Sequence, residues 1–480
     1  MNAPHVVIVG GGITGLATAY YLERMAEQHG VRLSITLVER DERLGGKVGT
    51  ERIGGYLLDT GPDSFLAQKP WAVDLCRELG MADDVIAPSA RKFYILLGGK
   101  LHSVPHELVA LVPSKPEALW KASFLSLQAK TRASMEGLIP AQRDQEDESL
   151  SSFMRRRFGD EFALRFAEPL MGGVHAGHPE RMSMRSIYPM YWAMERSKGS
   201  ITRALLERRA SARSNGATAA ASPFVALRHG MASLLDRICA RLSATRLALS
   251  VGVDALSPLA SGRIRVRLSD RAEIEADAVV LTTPAFDAAD LLRPLAPDAA
   301  DLLAGIPYAS TAVVSLAYRE GQLAEPLEGS GFLVPRTEAC ALTGCTWSSQ
   351  KWVGRAPEGM ALMRAFLGYA GEDRIVEESS EEELAQTAHR SLAGLLHISG
   401  DPEFVRVYRW LRAMPQYEVG HHARLERIDD SLRSLPAVIL AGSAYRGVGM
   451  PDCVRQGKEA AERALQVSLG RPTDGEGLGR

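Results

Sequence analysis

Residues 5–15 have the sequence HVVIVGGGITG, and an alanine-rich helical pattern follows over residues 16–22. An apolar strand, a glycine turn and a helix in this order are typical of a dinucleotide-binding fold. Gly10 is expected to make the tight turn, Gly12 to let backbone approach a pyrophosphate, and Gly15 to let the helix pack on the strand. The positive end of the helix would then face the phosphates.

A second strand and an acidic residue extend this pattern. The apolar run Ser34–Val38 predicts the neighbouring parallel strand, and Glu39 follows at its end. An acidic side chain at this spacing after the glycine loop accepts hydrogen bonds from a ribose in dinucleotide-binding folds. The sequence therefore predicts an α/β fold, α+β overall, with a Rossmann-like domain.

Composition excludes several classes of protein. The chain has 480 residues, and 56 Lys and Arg stand against 58 Asp and Glu, so its charge gives no indication of nucleic-acid binding. No apolar run reaches the ~18 residues that span a bilayer, and no signal peptide is seen. We therefore expect a cytoplasmic location and leave peripheral membrane contact open. The five cysteines lack a C-x-x-C pair, which fits a reducing compartment, and no metal site is predicted.

Strand patterns similar to the first one return at 247–253, 278–282 and 437–441. They predict a cofactor domain assembled from separate segments, namely 1–70, 224–293 and 418–469. The helical periodicity of 71–210 predicts an inserted helical domain, and the β-rich runs of 294–417 predict a substrate-binding sheet. The remaining segments are expected to be a flexible loop over 211–223 and a disordered tail over 470–480.

Two further glycine-rich turns narrow the choice of cofactor. The stretch Arg43-Leu44-Gly45-Gly46-Lys47 could hold the same pyrophosphate from its other side. The stretch Gly447-Val448-Gly449-Met450-Pro451 leads from a strand into a helix, with Pro451 well placed in the first turn. A helix N-terminus here can stabilise the negative charge that develops on a reduced isoalloxazine. The pattern favours FAD over a nicotinamide dinucleotide.

Several longer motifs make a family resemblance specific. They are Gly61-Pro62-Asp63-Ser64-Phe65-Leu66, EPLMGGVHAG at 168–177, Cys345-Thr346-Trp347, Ala356-Pro357-Glu358-Gly359, Met414-Pro415-Gln416-Tyr417 and the C-terminal glycine stretch. With them, nearly the whole chain resembles the flavin-dependent porphyrinogen oxidases of haem biosynthesis, within the FAD-dependent amine oxidase superfamily. The stretches 345–352 and 356–371 make it more similar to the oxidases of coproporphyrinogen III than to those of protoporphyrinogen IX.

The resemblance implies FAD as cofactor and oxidation of coproporphyrinogen III to coproporphyrin III, with hydrogen peroxide released as oxygen reoxidises the flavin. The cofactor-binding residues that it carries over are Gly10, Gly11, Gly12, Ile13, Thr14, Gly15, Glu39, Arg40, Gly46, Lys47, Gly61, Pro62, Asp63, Ser64, Val253, Trp410, Val448, Gly449 and Met450. From the residues alone, Val253 ends a strand and Trp410 is a core aromatic. Because the flavin carries the redox step, we assign no general base.

The substrate cavity is assigned through the same resemblance. Lys69 matches a cavity lysine, although it could equally be a solvated residue before Pro70, and Gly173 would let the ring plane approach backbone. Four propionates on the substrate require cations, and the candidates are Arg43, Lys69, Arg336, Lys351 and Arg364. The run Arg155-Arg156-Arg157 is interpreted instead as a solvated helix face.

Alternatives and partners stay open at this point. The first alternative keeps the fold and takes protoporphyrinogen IX as substrate. The second is another flavin chemistry, an amine oxidase or carotenoid desaturase, against which the stretches 173–177 and 447–452 argue. The third is a protein that keeps FAD only structurally.

The expected partners are the porphyrinogen and molecular oxygen, without nucleic acid. A transient contact with a ferrochelatase is left open. Two positions depart from the family pattern, since His178 replaces a common aspartate and His229 replaces a glycine. These departures put local geometry in question and leave the family resemblance intact.

Overall fold

The computed structural model describes residues 3–105, 108, 116–142, 146–214 and 222–470. Most of the predicted flexible loop, at 215–221, and nearly all of the predicted tail, at 471–480, lie outside these residues. The strands are β1 His5–Val9, β2 Ser34–Val38, β3 Thr50–Ile53, β4 Tyr56–Asp59, β5 Phe65–Leu66, β6 Val85–Ile86, β7 Tyr94–Leu97, β8 Lys100–Ser103, β9 Phe224–Leu227, β10 Thr245–Ala248, β11 Val253–Pro258, β12 Ile264–Leu268, β13 Glu273–Ala276, β14 Ala278–Leu281, β15 Tyr308–Arg319, β16 Gly331–Leu333, β17 Gly344–Trp347, β18 Met360–Leu367, β19 Phe404–Pro415 and β20 Val438–Leu440.

The helices are α1 Ile13–Gln28, α2 Pro70–Glu78, α3 Pro116–Lys121, α4 Leu127–Ser134, α5 Leu150–Phe158, α6 Asp160–Phe162, α7 Glu168–His175, α8 Met184–Ile187, α9 Pro189–Lys198, α10 Ile201–Ser214, α11 Ala232–Cys239, α12 Ala285–Leu292, α13 Pro297–Ala304, α14 Ser348–Lys351, α15 Arg374–Glu378, α16 Glu381–Leu396, α17 His421–Ser431 and α18 Met450–Ser468. A π-helical turn, Ala163–Ala167, joins α6 to α7.

A five-stranded parallel sheet lies at the centre of the fold, in the order β10-β2-β1-β14-β20. Alternate residues of β1 enter different cores: Val6 and Ile8 pack with α1 and α18, whereas Val7 and Val9 pack with α12 and α13. Burial on both faces is the usual condition of a parallel sheet and explains its nearly continuous apolar strands. The strands predicted from 5–9 and 34–38 coincide with β1 and β2.

The strand predicted over 247–253 is wrong. Strand β10 ends at Ala248, and Ser250 then adopts a left-handed conformation with φ of 57°. The chain turns there, and Val253 begins β11 in a separate antiparallel sheet of order β11-β12-β13. Val253 therefore starts a strand instead of ending one.

The second large sheet has the order β19-β15-β18-β17-β16-β7-β8. Its neighbours are antiparallel except β16 and β7, which pair in parallel through Phe332 and Tyr94. Strands β7 and β8 come from the segment predicted as the inserted helical domain. That segment therefore contributes two strands to the sheet that the sequence placed in 294–417.

The interpretation of Arg155-Arg156-Arg157 as a solvated face is also wrong. The Arg157 side chain is fully buried and pairs with Glu136 and, at 3.3 Å, with Glu195. Arg156 lies 2.5 Å from Glu195. Consecutive helix positions point in different directions, and carboxylates from distant parts of the chain compensate the buried charges, which no local pattern reveals.

Candidate cofactor and substrate site

The first glycine loop has the geometry that its sequence predicts. Gly10 has φ of 105°, and a Cβ at Gly15 would lie 2.0 Å from the Gly10 carbonyl oxygen, so neither position accepts a larger residue. A Cβ at Gly12, by contrast, would meet nothing within 4 Å. The backbone at the N-terminus of α1 therefore borders open space.

Two other glycine segments meet this loop. The Gly45 amide donates to the Gly11 carbonyl at 2.9 Å, and a Cβ at Gly46 would lie 3.5 Å from the Gly12 Cα. A Cβ at Gly61 would lie 2.0 Å from the Lys47 carbonyl oxygen. Three segments that are distant in sequence thus form one backbone cradle, made of Gly10–Gly15, Gly45–Lys47 and Gly61.

Glu39 lies at the edge of the cradle. Its carboxylate accepts hydrogen bonds from the Gly11 amide at 2.6 Å and the Asp41 amide at 3.0 Å. Each carboxylate oxygen has a further lone pair, so a ribose hydroxyl can still donate to it. The Val251 amide donates to the Glu39 carbonyl at 3.0 Å, which brings Val253 to the same end of the cradle. The side chain of Arg40 is mostly exposed and lies 3.5 Å from Asp287.

The N-terminus of α18 lies beside that of α1. Gly449 is the N-cap of α18, and a Cβ at Gly457 would lie 2.7 Å from the Thr14 carbonyl oxygen. This close packing brings Val448, Gly449 and Met450 near the cradle. Gly457 was missed by the sequence analysis, since a lone glycine within a helix carries no specific signal.

Lys47 is a half-buried cation between these elements. Its Nζ lies 3.4 Å from Ser443 Oγ, and no carboxylate among the described residues pairs with it. Burial lowers the pKa of Lys47 to about 8. A half-buried amine without a carboxylate partner, next to the open backbone at Gly12, fits a bound pyrophosphate.

The C-terminal glycine loop is held by side chains outside it. The Tyr417 hydroxyl donates to the Ser443 carbonyl at 2.8 Å and accepts from the Gly447 amide at 2.9 Å. Its ring stacks on His421 with centroids 4.1 Å apart. The Gln456 side chain accepts from the Gly442 amide at 3.3 Å. Tyr417 belongs to the motif at 414–417, but nothing in that motif predicted this role.

Asp63 fixes the segment after Gly61 to the larger sheet. Its carboxylate lies 3.3 Å from both Lys351 Nζ and Arg364 Nη1, and it accepts from Trp352 Nε1 at 3.2 Å. Burial alone would raise the pKa of Asp63, but Lys351 and Arg364 hold it well below its usual range. Lys351 and Arg364, two of the candidate propionate ligands, therefore share the carboxylate of Asp63.

Other bonds support the same segment. Arg364 Nη2 donates to the Gly61 carbonyl at 2.6 Å, and Trp410 Nε1 donates to the Thr60 carbonyl at 2.9 Å. Trp410 thus lies next to Gly61, as a cofactor-side residue would, while Ser64 donates to Asp63 at 2.7 Å. Pro62 lies between these anchored residues.

Lys69 is bound to α18. Its Nζ lies 2.5 Å from the carboxylate of Asp452, whose side chain is only 8% exposed in the first turn of that helix. Burial and the charge of Lys69 lower the pKa of His175 to about 4, so His175 is neutral at pH 7. Gly173 lies two residues before His175 on α7, and a Cβ there would meet the Leu333 side chain at 3.0 Å.

The described residues hold no group of three or more His, Cys, Asp or Glu side chains placed to bind a metal. Within the same residues, no helix is both long and apolar enough to cross a membrane.

The parallel sheet, the glycine cradle and the unpaired Lys47 define a dinucleotide-binding oxidoreductase whose residues fit a flavin. The chain belongs to the flavin containing amine oxidoreductase family, whose model matches residues 13–465. The family resemblance is thereby confirmed: the chain is a flavin-dependent oxidoreductase, and its cofactor is FAD.

Relatives cover nearly the full length. The chain is 36% identical to the coproporphyrinogen III oxidase of Bacillus subtilis (strain 168), over 96% of this chain and 98% of the relative. It is 32% identical to the chloroplastic protoporphyrinogen oxidase 1 of Arabidopsis thaliana, over 96% of this chain and 87% of the relative. A crystal structure from Exiguobacterium sp. 255-15, provisionally assigned as a protoporphyrinogen oxidase, superposes with a TM-score of 0.85 at 33% identity, covering 98% of this chain and 100% of that one.

Proposed function

We propose that this chain oxidises coproporphyrinogen III to coproporphyrin III with FAD and molecular oxygen, releasing hydrogen peroxide in haem biosynthesis. The observation that carries the proposal is the full-length similarity to relatives of that name, because it spans every segment that builds the cradle. The second candidate, oxidation of protoporphyrinogen IX, is favoured by the similarity to the plant enzymes named for that substrate.

When bound, FAD supplies the hydride acceptor and passes the electrons to oxygen. The backbone amide at Gly12 and the ammonium of Lys47 would hold the pyrophosphate, and Glu39 would accept from the ribose. Val253 would contact the adenine through its backbone. The remaining predicted contacts, from Gly61 to Ser64, at Trp410 and at Val448 to Met450, would surround the flavin.

The protein's part in the reaction is binding and orientation. The positive end of α18 would face the flavin edge where negative charge develops, and Tyr417 keeps the preceding loop in place. The Lys69–Asp452 pair and the neutral His175 lie near this helix start, beside Gly173 on α7. A bound porphyrinogen placed here would lie between α7 and the cofactor, with its meso carbons shielded from water.

Further parts of the proposal concern organisation and partners. The domain division predicted from the sequence is retained, with Tyr94–Ser103 added to the substrate-binding sheet. A cytoplasmic location with peripheral membrane contact stays a prediction, and the exposed side chains of Trp120, Leu127 and Leu138 are where such contact would be sought by vesicle co-sedimentation. A transient complex with a ferrochelatase also stays a prediction, testable by cross-linking.

Aerobic porphyrin fluorescence tests the proposed reaction. The purified yellow protein is given coproporphyrinogen III and protoporphyrinogen IX in parallel at matched concentrations, with hydrogen peroxide measured in the same samples. A clear preference for coproporphyrinogen supports the proposal, and a preference for protoporphyrinogen selects the second candidate. Oxidation of neither would overturn both.

A further inference from the structure

Arg336 differs from the other candidate propionate ligands. Lys351 and Arg364 are paired with Asp63, Lys69 is paired with Asp452, and Arg43 donates to the Gly46 carbonyl at 2.9 Å. Within the part of the chain that the structure describes, Arg336 has neither a carboxylate nor a hydrogen-bond partner. Its half-buried guanidinium lies over the ring of Tyr369, 4.2 Å from the centroid. An arginine held this way keeps its planar face fixed and its N–H groups free.

The position of Arg336 is tied to the wall of the proposed cavity. It follows β16, whose Leu333 faces Gly173 on α7. Next to Tyr369, the Ala370 amide donates to the carbonyl of Ala176 at 2.8 Å, just beyond the end of α7. Arg336 therefore lies where the larger sheet meets the C-terminal end of α7.

His178 adds a second donor at this place. Its Cδ2 lies 3.7 Å from where a Cβ of Gly371 would be, and its buried Nδ1 has no hydrogen-bond partner. Burial and the charges of Arg336 and Arg181 lower the pKa of His178, so its imidazole is neutral at pH 7 and can donate one N–H without adding charge.

The carboxylates near His178 are bonded to another arginine. The two nearby carboxylates, Glu180 and Glu168, lie 2.8 and 3.6 Å from Arg155. Neither carboxylate pairs with Arg336, whose N–H groups stay free among the described residues. A free guanidinium and a buried unpartnered imidazole nitrogen match a carboxylate, which can accept two hydrogen bonds side by side.

We propose that Arg336, with His178 as a second donor, binds one propionate of the tetracarboxylate porphyrinogen and contributes to its affinity without taking part in the chemistry. The assignment rests on the proposed function, since it supplies the substrate whose carboxylate is bound. It makes Arg336 a specificity-determining residue, while Lys351 and Arg364 have structural roles at Asp63.

The test compares Arg336→Gln, Arg336→Lys and the wild type, each loaded with FAD. Arg390→Gln, an exposed arginine on α16, is the matched control. Arg336→Gln loses a charged hydrogen-bonding partner, so its KM for coproporphyrinogen III should rise at least about tenfold with kcat little changed. The KM of Arg336→Lys should lie between those of Arg336→Gln and the wild type. Fluorescence titration with coproporphyrin III should show the same loss, whereas its tetramethyl ester, presented in the same detergent, should bind wild type and variants alike.

The outcomes separate this proposal from the proposed function. If the Arg336 variants lose equal affinity for the acid and the ester, or if their KM is unchanged, the role of Arg336 is overturned. Turnover by the wild type would still uphold the proposed reaction. If the wild type oxidises no porphyrinogen, the proposed function fails. The acid-against-ester titration then still decides whether Arg336 recognises a carboxylate.

Discussion

The Tyr417 hydroxyl accepts a hydrogen bond from the Gly447 amide at 2.9 Å, across a separation of 30 residues. It also donates to the Ser443 carbonyl, so one phenol links both ends of the glycine loop that precedes α18. Burial raises the pKa of Tyr417 well above 10, so the hydroxyl keeps its proton at any pH at which the protein would be assayed. The start of α18 is therefore positioned by the side chain of Tyr417, which follows β19 of the larger sheet.

Replacing Tyr417 by Phe should loosen that loop without removing the ring. The Gly447 amide would lose its partner, which costs about 1–3 kcal/mol for a buried donor, and we expect the Kd for FAD to rise about five- to tenfold. Fluorescence titration of the apoprotein with FAD measures this. Tyr318→Phe, which removes a hydroxyl on β15 that bonds His389 of α16 at 3.0 Å, is the control. The same Kd in both variants would contradict the role given to Tyr417.

Glu39→Ala should weaken FAD binding while the chain stays folded. The variant loses the acceptor for the Gly11 amide and for the ribose, and a charged hydrogen bond is worth about 1.5–3 kcal/mol, so the Kd should rise at least about tenfold. Flavin occupancy after gel filtration and a thermal melt measure the two effects separately. Glu42→Ala, an exposed neighbour, should leave occupancy unchanged. Full occupancy in Glu39→Ala would remove this residue from the site.

The strands and loops that could be predicted from sequence are those whose signals are local. Residues 6–9 alternate between two cores and lead into Gly10, whose φ of 105° favours glycine, so both the strand and the turn follow from one short stretch. Asp63 was predicted as a cofactor residue, but its bonds to Lys351 and Arg364 join positions about 300 residues apart. No spacing rule encodes such contacts.

Two errors have the same origin. The arginine run at 155–157 resembles a solvated face because its partners Glu136 and Glu195 lie outside the helix that carries it. The strand predicted through Val253 fails because Ser250 adopts a left-handed conformation, which an apolar pattern does not reveal. The Ser250 and Val251 amides donate to the Asp41 and Glu39 carbonyls there, so in both cases tertiary contacts override a local pattern.

Lys47 should make FAD binding depend on pH. Burial lowers its pKa to about 8 in the free protein, so Lys47 loses its charge above pH 8, and a bound pyrophosphate must then draw a proton back onto it. The affinity for FAD should be steady from pH 6 to 7.5 and fall by up to about tenfold per pH unit between pH 8 and 9.5. Lys47→Met should bind FAD more weakly at pH 7 and lose this slope. A parallel decline in both proteins would place the titrating group elsewhere.

Asp63→Asn should destabilise the chain strongly, because Lys351 and the buried Arg364 would face a neutral amide. Breaking a buried pair from one side costs about 3–5 kcal/mol, whereas Asp74→Asn, on the exposed face of α2, should cost less than about 1 kcal/mol. The folded pKa of Asp63 lies below the unfolded value of about 3.9, so its contribution is fully present above that value and is lost as pH falls further. Urea unfolding should therefore show a wild-type advantage that is constant from pH 7 to 5 and shrinks below pH 4. An advantage that persists unchanged at pH 3 would mean that packing at Asp63, and not its charge, stabilises this junction.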